Sequence, residues 1–283
     1  MCAILFVSAT HYCNQMLRPE TITSPANSLL KEVRRTVARG GLSDQGWCVA
    51  ESFHLLEEAL RSRRPVHAVL AAESKRAAVE ALAAKGDSGK LLLLPDALFD
   101  SIAATENSQG VIALVEPPEW DMQDLLQGKS LALVLDGIQD PGNAGTILRS
   151  AEAFGASGVF FLKGAVSPYN PKAVRASAGS IFRLPVRQGV AISTALAILR
   201  QNGIRLLAAM PAAGAALPIP LAAVDLSARC ALAIGSEAHG VSAELRAAAD
   251  AITIPTAGVE SLNAAIAASI LLYEARRQRL LQP

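Results

Sequence analysis

Apolar and polar residues alternate along this chain in two regions of similar pattern, separated by a polar, proline-bearing stretch. From Asn27 to Arg39 the apolar residues Leu29, Leu30, Val33 and Val37 recur at the three- and four-residue spacing of a helix with one buried face. "WCVAE" then reads as a strand and "SFHLLEEALRS" as a helix. "VHAVLAA", "KLLLL" and "GVIALVE" follow as strands, with "ESKRAAVEALAAK" and "DALFDSIAAT" as helices between them. This is the content of a compact α/β domain of about 90 residues, assigned to residues 21–116. Residues 117–130, inside "EPPEWDMQDLLQGKS", are polar and carry a proline, which predicts a linker.

The second region, residues 131–283, places apolar strands at "LALVLDG", "GVFFL", "IRLLAAM", "CALAIG" and "AITIP", with helices between them. Near-continuous apolar strands alternating with helices predict an α/β fold with a parallel sheet covered on both faces. Ligands of such sheets sit at the carboxyl ends of the strands. Three turns at strand ends carry unusual polar content, "DPGNAGTILR", "GSEAHGVS" and "IPTAGVESLN", and are expected to converge on one site. The last helix, "SLNAAIAASILLYEARRQR", is apolar around nearly its whole circumference up to Tyr273, which predicts burial of most of it. Its charged end, Arg276, Arg277 and Arg279, complements the helix dipole.

Composition narrows the classes. A chain of 283 residues, 51% hydrophobic, can build one large or two ordinary domains with real cores. No uninterrupted apolar run reaches the roughly 18 residues of a membrane span, so none is predicted. The start "MCAILFVSATHYC" lacks the basic leader of a signal peptide, and residues 1–20 are expected to form a short, poorly ordered extension. Cys2, Cys13, Cys48 and Cys230 show no C-x-x-C pairing and no His at ligand spacing, against a zinc site or a disulfide framework and in favour of a reducing cytoplasm.

Net charge is only +1, but its distribution is one-sided. No carboxylate lies between Glu152 and Asp225, while Lys163, Lys172, Arg175, Arg183, Arg187, Arg200 and Arg205 all fall inside that interval. Such a distribution suits a surface that meets a polyanion such as RNA. Arg200, just before Asn202-Gly203, equally fits a helix C-terminal cation.

The turn after "LALVL" excludes two common ligands. It has Gly142 and Gly145 but no G-x-G-x-x-G for a dinucleotide and no Gly-Lys-Ser/Thr for a P-loop. Asn143 and Arg149 remain, each with two readings. Asn143 is either a helix N-cap or a site residue. Arg149 is either half of a surface pair with Glu152 or a cation held ready for a ligand.

Taken in order, the three turns resemble the three motifs of the SpoU (TrmH-like) RNA 2′-O-ribose methyltransferases, members of the SPOUT superfamily. Asn143, Gly145 and Arg149 match the first, Gly235, Ser236, Glu237 and Gly240 the second, and Pro255, Glu260, Ser261, Leu262 and Asn263 the third. The intervening "YNPKAVRASAGSIFRLPV" is also similar to the family's text. In the front half, "CVAESFHLLEEAL" and "ENSQGVIALVE" resemble the small substrate-binding module often fused ahead of such catalytic domains.

The resemblance implies an α/β protein in which a SPOUT-type knotted parallel sheet with flanking helices follows a small α/β RNA-binding domain. It implies a deep trefoil knot and a homodimer packed near the cofactor site, with the last helix contributing. S-adenosyl-L-methionine is the implied cofactor, gripped largely by backbone, with contacts at Gly235, Ile254 and Leu262; no metal is implied. Arg149, Asn143, Glu237, Ser261 and Asn263 form the implied catalytic set. Lys172, Arg175 and Arg183 are the candidate RNA contacts, and ribosomal RNA ranks ahead of transfer RNA.

Plainer readings stand beside these. Gly235, Ile254 and Leu262 read as a turn glycine, a buried strand residue and a core helix residue. Glu237 reads as a solvated loop acid, Ser261 as the N-cap of the last helix, and His239 as a loop or subunit-contact residue. Ala238 stands where the family often has glycine, and "IPTAG" where Met often follows the proline. In the family the arginine at 149 is implicated in activating the ribose hydroxyl. A guanidinium that stays charged is better suited to holding hydroxyl and phosphate than to taking a proton. The alternative function is a non-catalytic RNA-binding factor that keeps the fold.

Overall fold

A computed structural model describes residues 19–211 and 218–281. The elements of the first region are β1 (Glu20–Thr21), α1 (Ser28–Arg39), β2 (Cys48–Glu51), α2 (Phe53–Arg61), β3 (Val66–Ala72), α3 (Arg76–Ala83), β4 (Lys90–Leu94), α4 (Asp96–Asp100) and β5 (Val111–Val115). They form a five-stranded sheet ordered β1-β4-β3-β5-β2, in which β5 runs antiparallel to both neighbours. Glu20 and Thr21 pair with Leu92 and Leu93, so the expected extension already enters the sheet at its last residue. Residues 1–18 of that extension, with Cys2 and Cys13, lie outside the described residues.

The second region comprises β6 (Leu131–Asp136), α5 (Pro141–Ala153), β7 (Gly158–Leu162), α6 (Pro171–Ala176), β8 (Val186–Val190), α7 (Ile192–Gln201), β9 (Arg205–Ala209), β10 (Ile219–Pro220), β11 (Cys230–Gly235), α8 (Ala243–Ala248), β12 (Asp250–Thr253) and α9 (Ala264–Leu280). Its sheet is parallel throughout, ordered β10-β12-β9-β11-β6-β7-β8. The apolar runs predict the buried inner strands. They miss β8, whose centre "RQG" is exposed at the sheet edge and gives no apolar signal, and the two-residue β10. β11 inserts between β6 and β9, which brings the turn after residue 136 beside the turn after residue 235. The crevice outside these carboxyl ends is where an open parallel sheet accepts a ligand.

The expected linker is not a solvated tether. Leu125 and Leu126 are buried in one cluster with Ala132, Val134 and Phe160 of the second sheet, and the Leu125 carbonyl accepts from the Ser157 hydroxyl at 2.7 Å. The two apolar residues hidden among polar neighbours anchor the segment to the second region. Nor do the two regions have separate cores. Leu55 and Leu56 of α2 and Cys48 and Ala50 of β2 belong to the same buried cluster as Ile147 and Leu148 of α5 and Val174 of α6.

Arg183, a candidate RNA contact, sits on that junction with its guanidinium committed to carboxylates of both regions. Its guanidinium donates to both carboxylate oxygens of Glu152 on α5, at 2.5 and 3.0 Å, and to Glu58 of α2 at 2.5 Å. Glu58, only 4% exposed, also receives Arg61 at 2.7 Å. The one-sided charge interval is therefore partly balanced in space by carboxylates distant in sequence. Lys172 likewise meets Asp140 at 3.4 Å and Arg205 meets Asp250 at 2.7 Å. Arg149 loses its expected surface partner, because Glu152 is taken.

This clamp yields a stability prediction. Arg183→Met should lower the unfolding free energy by about 2 kcal/mol, less than for a fully buried pair because the guanidinium is 35% exposed. Burial raises the Glu152 carboxyl, but the Arg183 hydrogen bonds outweigh it and hold the group below its ordinary 4.5. A depressed carboxylate contributes stability above its unfolded value and loses it as pH falls through the folded one. Wild-type stability should thus decline below pH 4.5, less steeply in Arg183→Met. Urea unfolding across the acid range measures both; parallel pH profiles would show that the pair contributes nothing.

Candidate functional site

The helix α5 starts from Asp140, not from Asn143. The Asp140 carboxylate accepts from the Asn143 N–H at 2.7 Å, and Pro141 occupies the first helical position, where its missing N–H costs nothing. That N–H, assisted by Lys172, holds the Asp140 carboxyl below its ordinary value. Asn143 lies inside the first turn, and its side chain is free for other work.

Its carboxamide joins the other two turns. Asn143 Nδ2 donates to Glu237 Oε1 at 2.5 Å, and Asn143 Oδ1 accepts from Asn263 Nδ2 at 3.1 Å. Asn263, not Ser261, caps α9: its Oδ1 accepts from the Ala265 and Ile266 N–H groups. Its position is thus set by its own helix before it reaches Asn143. The Glu237 turn is closed by the Gly240 N–H donating to the Ser236 carbonyl at 2.8 Å, and is tied to β6 by the Ser242 N–H donating to Asp136 Oδ2 at 2.7 Å. Asp136 and Asp140 are structural residues that the sequence reading passes over. Asp140 has a legible signal, an Asp followed by Pro.

Two glycines are required by close approach. A Cβ on Gly145 would lie 2.3 Å from the Ala173 carbonyl oxygen, so α5 and α6 pack backbone to backbone there. One on Gly235 would lie 2.0 Å from the Gly240 carbonyl carbon, where the turn folds back over the end of β11. Gly235 therefore has a structural reason of its own, whatever it binds.

Arg149 is exposed on α5 and forms no hydrogen bond or ion pair among the described residues, so the structure does not bring it into the Asn143 cluster. Ser261 is exposed and Leu262 half-buried in the same loop; Ile254, half-buried, packs on the core shared with α5. Lys172 is exposed, Arg175 half-buried with its Nη1 buried and unpartnered among the described residues, and His239 exposed.

The site offers backbone more than side-chain chemistry. Between Ile254 and Leu262 a single internal hydrogen bond is formed among the described residues, Thr256 Oγ1 to the Val259 carbonyl, and most N–H and C=O groups of that loop stay free for a ligand. The buried Ser242 hydroxyl beside Asp136 also lacks a partner among the described residues. Among the described residues thiol chemistry is remote: burial pushes Cys48 up to about 12 and raises Cys230 above its ordinary value, so neither is a thiolate at neutral pH. No His/Cys/Asp/Glu cluster among the described residues could hold a metal, and no described helix is long and apolar enough to cross a membrane.

Alongside the site, α9 is less buried than its composition predicts. Ala265, Ala268, Leu271 and Leu272 are covered, but Ile266 is 53% and Tyr273 57% exposed. With Thr146 of α5, Phe154 just after it and Ile270 they line a groove, and Tyr273 stands edge-on to Phe154 at 5.8 Å.

Residues 130–273 match the SpoU rRNA methylase family, and residues 52–120 match a family described as RNA 2′-O ribose methyltransferase substrate binding. The chain is 35% identical over 263 residues to an uncharacterised tRNA/rRNA methyltransferase of Synechocystis sp., covering 92% of this chain and 94% of that one. It is 30% identical to the 23S rRNA guanosine 2′-O-methyltransferase RlmP of Bacillus subtilis, covering 90% of this chain and 98% of that protein. Among solved structures, the AdoMet-bound rRNA methyltransferase from Sinorhizobium meliloti superposes with a TM-score of 0.78 at 28% identity, covering 92% of this chain and 98% of that one.

The Asn143 bridge is testable without any substrate. Asn143→Ala leaves Glu237 and Asn263 without their shared partner, at a stability cost of about 1 kcal/mol. Hydrogen exchange should quicken at the amides of residues 236–240 and 263–266 and stay unchanged in the first sheet. Unaltered exchange in both turns would mean that the bridge holds nothing in place.

Proposed function

The chain belongs to the SpoU rRNA methylase family, and from that premise we propose how its residues divide the work. It is an S-adenosyl-L-methionine-dependent RNA methyltransferase that acts on a ribose 2′-hydroxyl. The observation that carries the assignment of the site is the carboxamide bridge of Asn143 to Glu237 and Asn263, at the carboxyl ends of β6 and β11.

The residues present fit the cofactor. Gly235, Ile254 and Leu262 contact it largely through backbone, in keeping with the free backbone groups of the loop after β12. When bound, S-adenosyl-L-methionine supplies an electrophilic methyl group on a sulfonium. The protein's task is to hold a ribose hydroxyl in line with that methyl, and positioning of this kind provides much of the acceleration. Asn143, Glu237 and Asn263 keep the three turns in register, and Ser261, exposed in the loop before α9, orients the ribose by hydrogen bonding. Arg149 holds the 2′-hydroxyl and the neighbouring phosphate through its planar fork.

Lys172 and Arg175, on the short α6 packed against α5, contact the RNA backbone, while residues 21–116 select the RNA. Ribosomal RNA is the favoured substrate class, in keeping with the 23S rRNA activity named for the B. subtilis relative, and a cytoplasmic location follows from that substrate. The C-terminal passage, in which α9 returns from β12 across β11 onto α5, forms the trefoil knot.

A second copy of the chain covers the groove between α5 and α9. Exposed Ile266 and Tyr273 support this, and exposed Arg149 lies about one helical turn along α5 from Thr146 of that groove. The Arg149 guanidinium, without an ion-pair partner among the described residues, would then complete its site at the dimer junction.

Two measurements test this assignment. Arg149→Ala should reduce single-turnover methylation of ribosomal RNA from labelled cofactor by at least about a hundredfold with cofactor binding preserved, and Arg149→Lys should recover little. Turnover close to wild type would return Arg149 to the status of a surface arginine. Ile266→Asp should convert the dimer to monomer in sedimentation and lower turnover with it; a monomeric wild-type protein, or a variant that stays dimeric, would remove the second copy from this face.

A further inference from the structure

The helix α1 lies outside both matched family segments, residues 52–120 and 130–273, yet its outer face has a regular charge pattern. Leu30 and Val33 are buried against the first sheet, and Lys31, Arg35 and Arg39 are exposed. These three recur at i, i+4 and i+8, so they form one row along the helix with about 6 Å between successive positions. The fourth cation, Arg34, is not part of the row: it is committed to the Pro25 carbonyl and to the backbone and side chain of Ser101.

The row is poorly neutralised. Asp44 is the carboxylate that serves it, at 3.0 Å from Arg39 and 3.9 Å from Arg35, and Lys31 has no ion-pair partner among the described residues. A helix dipole accounts for a cation in the last turn, hence for Arg39, but not for Lys31 in the first turn, where a positive charge is unfavourable.

The row also leads toward the catalytic cluster. It ends at Gly40, whose Cα approaches the Asn170 side chain closely enough that a Cβ would lie 2.5 Å from Nδ2. Asn170 caps α6 through the Lys172 N–H, and Lys172 meets Asp140, the cap of the helix that carries Asn143. The row thus points from the outer turns of α1, by way of Gly40 and Asn170, toward Lys172 on α6 beside the start of α5.

Resting on the methyltransferase reading above, we propose that Lys31 and Arg35, with Arg39, form a phosphate-binding row that carries the substrate RNA strand from the first sheet toward the Asn143 cluster. Each phosphate contact releases a counterion, so losing contacts weakens binding and flattens its salt dependence. The row acts on affinity and not on the chemical step.

The test uses the full-length Lys31→Gln/Arg35→Gln double variant and ribosomal RNA extracted from host cells lacking the gene. Filter binding across a salt series should show affinity lowered at least about tenfold at moderate salt, and a slope of log K against log salt reduced by about 1.4, roughly 0.7 per lost contact to a single strand. Single-turnover methylation at saturating RNA should stay within about twofold of wild type. Lys85→Gln/Lys90→Gln, exposed cations in the turn after α3 and at the start of β4, away from α1, should leave affinity and slope unchanged. Equal affinity and slope in the α1 variant and wild type, or an equal loss in the Lys85/Lys90 variant, would overturn the row as a binding device. Failure of the wild-type protein to methylate this RNA would count against the functional reading, and the binding slopes would still decide the role of α1.

Discussion

The carboxamide of Asn143 offers a donor on one side and an acceptor on the other, and each is claimed by a different turn. Glu237 and Asn263 are 94 and 120 residues further along the chain. The bond pair works only because each participant is already restrained: Asn143 by a helix that begins at Asp140, Glu237 by a turn folded tightly over Gly235, and Asn263 by its cap on α9. A hydrogen bond between free side chains would be worth little net of ordering. Here most of the ordering is done by backbone, so a small polar bridge can hold three separate loops in one geometry.

That geometry depends in turn on where α5 lies. Gly145 lets α6 approach to backbone distance, and Arg183 ties the far end of α5, through Glu152, to Glu58 of α2 in the front half. The same helix thus presents Asn143 to the later turns, exposes Arg149 and fixes the angle of the front half. Glu58 is nearly fully buried, and a buried carboxylate is tolerable only while its cations stay in place. The junction consequently favours one arrangement of the two sheets over a loose tether, which suits an enzyme that must deliver one nucleotide of a large RNA to one point.

Secondary structure was largely legible because periodicity is local: α1, α2, β3 to β7 and α9 follow from apolar spacing alone. The exceptions have physical causes. The edge strand β8 shows its polar residues to solvent, and the linker conceals Leu125 and Leu126 among acids and glutamines. The N-cap of α5 is Asp140, and of the two readings open for Asn143 the cap falls away; Asp and Asn are equally good caps, and only Pro141 at the first helical position marks which of them is outside the helix. The motif residues announced themselves by resemblance, but the bridge among Asn143, Glu237 and Asn263 did not.

By itself the sequence determined the α/β alternation, the three polar turns and their family, and the residue types available for chemistry. Only the tertiary structure decided which of those residues are free to act. Arg183 and Arg149 are both arginines in the neighbourhood of Glu152, and nothing in their spacing says that the first is spent on two carboxylates while the second is unpaired among the described residues. The reason is that patterning and capping are set by neighbours a few residues away. Charge pairing instead depends on which side chains the packed sheets bring within about 4 Å, where Coulomb attraction outweighs hydration only in the right surroundings.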